Sequence, residues 1–270
     1  HRSQIAFYVR AQHILAVAEF AAGNDAAHFN LEAVRCEVGP NILRLVATDG
    51  HTLGMIQLGH SDDFAEDTFA LDQSPAAWAW QIHAKPFAFN LPITDETYDF
   101  LKAATGKAGR NVPVRFTLER AGECAPWRLT LEHCGRTQAL ELDRRRQNFP
   151  DYNRALPKAG APLGELAQIG FNVAYLARFG AVARVLGLRK PHGISLMFTR
   201  SDGPTAIRLE GAACFLGLVM PYRTHCQALP AWLAPELPAA LAAALEEAPA
   251  PQPCPAVEEQ AEAPVIRLAA

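Results

Sequence analysis

The feature that most constrains this chain is one local layout used three times. Phe7-Tyr8-Val9, Phe89-Asn90-Leu91 and Phe171-Asn172-Val173 recur at intervals of 82 residues, and each opens a run that reads strand, helix, strand, strand, strand. The first unit has a strand over 5–9, a helix over 12–22 and strands over 31–38, 42–48 and 52–58. The second has a strand at 87–89, a helix over 94–104 and strands over 112–118, 127–132 and 137–142. The third runs through 169–173, 175–188, 194–198, 206–209 and 214–220. Apolar spacing sets these periods: Ile14, Leu15, Val17, Ala18 and Ala21 form a helical stripe, as do Tyr175, Leu176, Phe179, Val182 and Leu186. Thr94 or Asp95 is placed to cap the second helix, with Tyr98, Leu101 and Ala104 turned inward. Val114, Phe116 and Leu118 alternate with Arg115, Thr117 and Glu119, as a strand with one buried face requires. The expected class is therefore α+β, built from three β-α-β-β-β half-units, an odd number.

Between the third and fourth strands of the first unit lies Asp49-Gly50, a tight-turn pair. Glycine takes positive φ freely and a short carboxylate bonds to nearby backbone, so 42–58 is expected to be a hairpin. Asp49 and His51 flank this glycine without a nucleophile at defined spacing, and neither a P-loop nor a dinucleotide fingerprint occurs. No catalytic residue and no cofactor is expected. Six cysteines (Cys36, Cys124, Cys134, Cys214, Cys226, Cys254) contain no C-x-x-C pair, which fits reduced thiols. Cys124 with His133-Cys134 is at most a partial ligand set in strand-like sequence, so no metal is expected either.

Four segments occur in a telling order: Leu-Val-Ala-Thr-Asp-Gly-His-Thr-Leu at 45–53, Asn-Phe-Pro-Asp-Tyr-Asn-Arg-Ala-Leu-Pro-Lys at 148–158, Ile-Gly-Phe-Asn-Val at 169–173 and Leu-Val-Met-Pro-Tyr-Arg at 218–223. In this the chain resembles the bacterial sliding clamp, the beta subunit of DNA polymerase III. The resemblance covers about residues 5–223 with breaks. It implies a DNA-clamp fold in which paired half-units place sheets outside and helices around a hole. The first domain of the family has no counterpart, and about half of the third is missing, because the chain passes through 159–165 almost directly into the last half-unit. The implied division is a clamp-like domain over 1–158 with an insertion at 60–85, a third half-unit over 159–226, and a tail over 227–270.

The resemblance also implies a non-catalytic protein with a hydrophobic groove for short linear motifs of DNA polymerases and repair factors. Its lining would be Leu31, Thr48, Gly50, His51, Leu53, Pro150, Arg154, Ala155, Leu218, Met220, Pro221, Tyr222 and Arg223. Leucines, prolines and an adaptable methionine suit aliphatic or aromatic anchors, with His51, Arg154 and Arg223 at the rim. The same apolar residues would also serve simply to close the core between two units. Ala155 is smaller and Tyr222 bulkier than the family pattern. Double-stranded DNA would be held without sequence readout by helix cations, for which the candidates are Arg10, Lys102, Lys107, Arg178, Arg184 and Lys190. Against this, 12–22 contains no lysine or arginine, and Gly23 to Asn30 offers Asp25 and no cation. Arg144-Arg145-Arg146 reads as a solvated strand end. Twelve half-units make a clamp ring, so three per chain imply a homo-oligomer of four. The competing reading is a non-encircling adaptor or decoy.

Charge does not decide between these. Of 28 acidic residues, six glutamates fall in 227–270 against the single cation Arg267, leaving a nearly neutral body. The insertion begins acidic (Asp62, Asp63, Glu66, Asp67) and then carries Trp78 and Trp80, expected to pack on the body. In the tail, Pro235 and Pro238 confine any helix to about 236–247, and the Pro- and Glu-rich remainder reads as disordered. No run of 18 apolar residues and no basic-then-apolar leader occurs, so the expected location is cytoplasmic.

Overall fold

The structure, a computed structural model, describes residues 3–22, 31–63, 67–72, 87–106, 112–120, 125–143, 147–156, 169–189, 193–198 and 203–222. In chain order the strands and helices are β1 (Ser3–Val9), α1 (Ala11–Ala18), β2 (Ala33–Val38), β3 (Ile42–Thr48), β4 (Thr52–His60), β5 (Thr68–Leu71), β6 (Phe87–Pro92), α2 (Asp95–Ala104), β7 (Val114–Arg120), β8 (Trp127–His133), β9 (Arg136–Leu142), α3 (Val173–Val185), β10 (Ile194–Met197), β11 (Thr205–Leu209) and β12 (Phe215–Val219). The fold is α+β, as the repeat implies. No described helix is long and apolar enough to cross a membrane.

Units 1 and 2 are joined by exchanging their opening strands. β1 leaves its own unit to pair antiparallel with β7, Phe7 opposite Phe116, and β6 pairs with β2, Phe89 opposite Cys36. The exchange buries the repeated phenylalanines together. Phe7 stacks on Phe116 at 5.1 Å between centroids and meets Phe89 at 6.3 Å, all three essentially without solvent exposure. Neither unit could bury its apolar face alone, so each completes the other.

Unit 3 joins differently. β12 runs antiparallel beside β4, from Phe215 opposite Ile56 to Val219 opposite Thr52, and carries the sheet on through β11 to β10. At the seam Gly217 lies opposite Gly54. A β-carbon on Gly54 would strike the ring of Phe20, and one on Gly217 the ring of Phe179, so the paired glycines let both rings sink onto the sheet. Phe20 then meets Phe179 at 5.2 Å and Phe215 at 6.0 Å. This aromatic group ties the end of α1 to α3 and to β12.

α1 is buried nearly all round because it lies between α2 and α3 with the sheet beneath it. That explains its sequence: Ala11, His13, Ile14, Leu15, Ala16 and Val17 leave no face for charge. Thr94 caps α2, its hydroxyl accepting from the Thr97 amide.

Four sequence expectations change, the first at Tyr98, expected to turn inward with Leu101 and Ala104 but 37% exposed on α2. The helix expected over 12–22 is α1 at Ala11–Ala18, shorter at its far end, where Phe20 turns into the core. The strand expected over 169–173 is reduced, among the described residues, to one bridge between Gly170 and Tyr222, with Val173 already opening α3. The insertion contributes a strand, β5, which pairs parallel with the end of β4 and antiparallel with β1 and so connects the two sheets. Phe69 is its fully buried anchor, and Asp72 holds Arg115 of β7 at 2.8 Å. Before it, Asp67 lies 3.4 Å from the buried His13, a contact that keeps the Asp67 carboxyl below its usual range. Trp78, Trp80, Arg144-Arg145-Arg146, the division at 158/159 and the tail over 227–270 lie outside the described residues.

Candidate functional site

The β3–β4 turn is fixed from within and from outside. Gly50 has φ +89°, as its place in the turn demands. The Asp49 carboxylate accepts from the His51 amide at 2.9 Å, the Thr52 amide at 2.7 Å and the Thr52 hydroxyl at 3.0 Å. Its second oxygen receives Arg178 of α3 at 2.6 Å, and the same guanidinium reaches the Thr52 hydroxyl at 2.7 Å. His51 stacks on Tyr175 of α3 at 5.6 Å, and its carbonyl accepts from the Met220 amide at 2.9 Å. A turn in unit 1 is thus held in place by unit 3.

The segment after β9 crosses the outer face of the sheet. Gln147 brackets the backbone of Asn90 in β6, accepting from its amide at 2.8 Å. The chain then forms a single 3-10 turn, Tyr152–Arg154. Tyr152 is buried, donating to Glu37 of β2 at 2.9 Å and accepting from Arg44 of β3 at 3.2 Å. Burial pushes the Tyr152 phenol up to about 12, so it remains a proton donor to Glu37 throughout the physiological range. With Val46, Leu53, Ala206 and Leu218 it makes a second, smaller hydrophobic cluster, on the side of the sheet away from the helices.

Between this turn and the hairpin lies a narrow cleft lined by Thr48, Gly50, His51, Thr52, Leu53, Ala155, Pro204, Leu218 and Met220. Three sequence segments remote from one another meet there. Its free volume is about 20 Å³, room for about one water molecule. A bound side chain would have to move a wall, and half-buried Met220, with three rotatable bonds, is the wall best able to move.

No family model matches the chain, and no curated protein matches it. Among solved structures the chain is similar to the DNA polymerase sliding clamp of Pseudomonas aeruginosa, crystallised with a ligand, at 18% identity and a TM-score of 0.55, over 82% of this chain and 66% of that one. It is similar to the sliding clamp, DNA polymerase III subunit beta, of Bartonella birtlesii bound to griselimycin at 16% identity and a TM-score of 0.54, with the same coverage. The corresponding griselimycin-bound clamp of Pseudomonas aeruginosa gives 17% and 0.53, over 81% and 65%. The fold is that of the bacterial sliding clamps. The chain spans just under two thirds of the length of the clamps it matches.

On this clamp fold, seven of the thirteen residues expected in the groove line the cleft: Thr48, Gly50, His51, Leu53, Ala155, Leu218 and Met220. Leu31 does not; its carbonyl accepts from the Ala22 amide beside the end of α1. Pro150 precedes the 3-10 turn, its carbonyl accepting from the Tyr152 amide, and lies outside the lining. Arg154 is well exposed and pairs with Asp151 at 3.2 Å, which turns it along the loop. Pro221 and the exposed Tyr222 lie beyond the lining, with the Tyr222 amide donating to Gly170. Arg223 falls outside the described residues.

The helix cations fare unevenly. Arg178, expected to face DNA, is engaged by Asp49 and Thr52, because α3 packs against the hairpin. Arg184 and Lys102 are exposed on α3 and α2, Lys102 lying 5.8 Å from the Tyr98 ring, and half-buried Arg10 precedes α1. Lys107 and Lys190 lie outside the described residues. Glu19, at the end of α1, carries a carboxyl pushed up by burial, against which Arg184 and Arg178 pull it down.

Sequence reading missed the supports: Arg178, Tyr175, Glu37, Arg44 and Gln147. Their partners in the site lie from 57 to 129 positions away, as in Gln147–Asn90 and Arg178–Asp49, so no local pattern marks them. Pro204 and Thr52 were missed as lining. Thr52 follows the singled-out Asp-Gly-His directly, and a hydroxyl there was the available signal. Asp49 is engaged by the turn and by Arg178, and His51 by the ring of Tyr175. His133 is buried and Cys134 exposed on the β8–β9 turn, so the two diverge, and Cys124 lies outside the described residues.

Proposed function

We propose that this chain is a non-catalytic, clamp-like scaffold that takes short linear motifs of DNA polymerases or repair proteins into the cleft between the Asp49–Thr52 turn, the Tyr152–Arg154 turn and Met220, and that it works on DNA in the cytoplasm without a cofactor. The observation that carries this reading is the convergence of Leu53, Ala155, Leu218 and Met220 on one apolar cleft with His51 at its mouth. Apolar walls with one polar rim group suit a peptide whose aliphatic or aromatic anchor supplies affinity and whose backbone supplies orientation. The clamps it matches in fold include two bound to griselimycin. In its fuller form the reading has four copies encircling double-stranded DNA.

A second reading, an adaptor that keeps the cleft without holding DNA, is favoured by one specific observation. The central helix α1 is buried and carries no cation, and Arg178 is committed to Asp49. Both readings are tested by fluorescence anisotropy with a labelled short peptide carrying leucine and phenylalanine anchors. Wild-type protein should bind at micromolar concentration, and Ala155→Arg, which fills the half-exposed cleft floor, should weaken binding at least about tenfold. Equal binding by both proteins removes the cleft. Retention on closed circular but not linear DNA separates the encircling form from the adaptor.

A further inference from the structure

The walls of the cleft belong to two different units. Of its nine lining residues, five come from the β3–β4 hairpin of unit 1, three (Pro204, Leu218 and Met220) from unit 3, and Ala155 from the segment that crosses the outer face. Leu53 and Leu218 face each other directly across the β4–β12 seam, and just beyond it the Met220 amide donates to the His51 carbonyl at 2.9 Å. Past that bond α3 takes over the hold on the turn. Arg178 uses one nitrogen for two partners, the Asp49 carboxylate at 2.6 Å and the Thr52 hydroxyl at 2.7 Å. The Thr52 hydroxyl donates to Asp49, so its lone pair receives Arg178 and the three groups close a ring. Tyr175, one helical turn earlier, meets both neighbours: the Arg178 guanidinium lies 5.4 Å from its ring, and the His51 ring stacks on it at 14°. Neither Arg178 nor Tyr175 lines the cleft, yet each holds a residue that does.

We infer that Arg178 and Tyr175 are positioning residues for the peptide cleft, and that filling the cleft and docking unit 3 on unit 1 are one linked equilibrium. The inference rests on the cleft reading of the previous subsection and adds how that site is controlled. The side chains of Arg178 and Asp49 are 27% and 11% exposed, so removing the guanidinium leaves a largely buried carboxylate oxygen without its cation. The turn then relaxes toward water, and it carries Thr52 and His51 away from Leu218 and Met220. An anchor side chain that needs walls from both units binds only the joined form, so its apparent affinity falls with the fraction of protein that is joined. By the same linkage, a bound peptide holds the seam closed. The strand exchange between units 1 and 2 stands apart from this, since no residue of β6 to β9 lines the cleft.

Fluorescence anisotropy on the full chain, with the labelled leucine- and phenylalanine-anchored peptide, tests it. Arg178→Ala should weaken binding at least about fivefold, and Tyr175→Ala should weaken it by less. Arg178→Lys should recover most of the loss, because a single nitrogen makes both contacts. Phe116→Leu, at the strand exchange, should lower Tm and leave the affinity unchanged, which separates positioning from general destabilisation. Hydrogen exchange of the wild-type protein gives a reading that depends on no variant's folding: saturating peptide should slow exchange in the 49–52 turn, α3 and β12 and leave β7–β9 unchanged. A wild-type protein that binds no peptide removes the cleft and this inference together. Wild-type and Arg178→Ala proteins that bind equally overturn the inference alone. So does an affinity loss that Phe116→Leu reproduces, or peptide protection spread evenly into β7–β9.

Discussion

Units 1 and 2 on one side, and unit 3 on the other, use the same order of strands and helix and reach different degrees of closure. Where β1 and β6 have crossed over, β2 and β7 are sealed and the phenylalanines of the repeat are stacked in a dry core. Where no crossing strand lies beside it among the described residues, β10 keeps two core-side residues, Ile194 and Leu196, partly in water, and 169–173 makes one bridge. Unit 3 nonetheless stays attached, because the seam it shares with unit 1 is separate: paired glycines, three phenylalanines and the Arg178–Asp49 contact. The half-unit is therefore a piece with two kinds of boundary. One is a strand exchange that completes its core, and the other is an edge-to-edge seam that only positions it.

This contrast is open to direct attack. Phe116→Ala, at the sealed boundary, should cost about 4 kcal/mol and show as a large drop in the denaturation midpoint, whereas Leu196→Ala, measured below the concentration of any self-association, should cost well under half of that. Similar losses would erase the distinction between closed and open units. Arg178→Ala should cost about 2 kcal/mol, between the values for exposed and buried ion pairs, since it leaves Asp49 only 11% exposed without its cation. Because the loss falls on the seam, hydrogen exchange should rise in the 49–52 turn and in α3 while β7–β9 stay protected. Uniform exchange would mean that the seam and the strand exchange unfold as one.

The smallest effect concerns Glu19, where α1 meets the cations of α3. Burial raises its folded pKa, so the folded state favours the protonated acid and the carboxylate weakens stability once pH rises through that value. Glu19→Gln should therefore raise Tm slightly at neutral pH, by about 1 °C, with the gain fading as pH falls. A gain that grows toward acid pH would show that Arg184 and Arg178, rather than burial, govern this carboxyl.

Much of the layout was legible because it is local. Hydrophobic period separated strand from helix in all three units, and Asp49-Gly50 marked the hairpin whose Thr48–Leu53 register the structure shows. β5 was hidden because four residues, Thr68-Phe69-Ala70-Leu71, are too short for a period to show beside acidic neighbours. Leu31, Pro150, Pro221 and Tyr222 lie outside the lining of the cleft, and nothing in their local sequence distinguishes them from Leu53 or Ala155, which line it.

What the sequence determined by itself is the module: its repeat, its alternation, its capped and apolar helices and its turn, all set by interactions within some ten residues. Only the tertiary structure decided how modules are joined. Strand exchange between units 1 and 2, the glycine seam to unit 3, the withdrawal of Arg178 from solvent and the exposure of Ile194 and Leu196 all depend on partners many tens of residues away. An amphipathic strand declares that one face must be covered, but the identity of the cover is a property of what else packs nearby, and no local pattern encodes it.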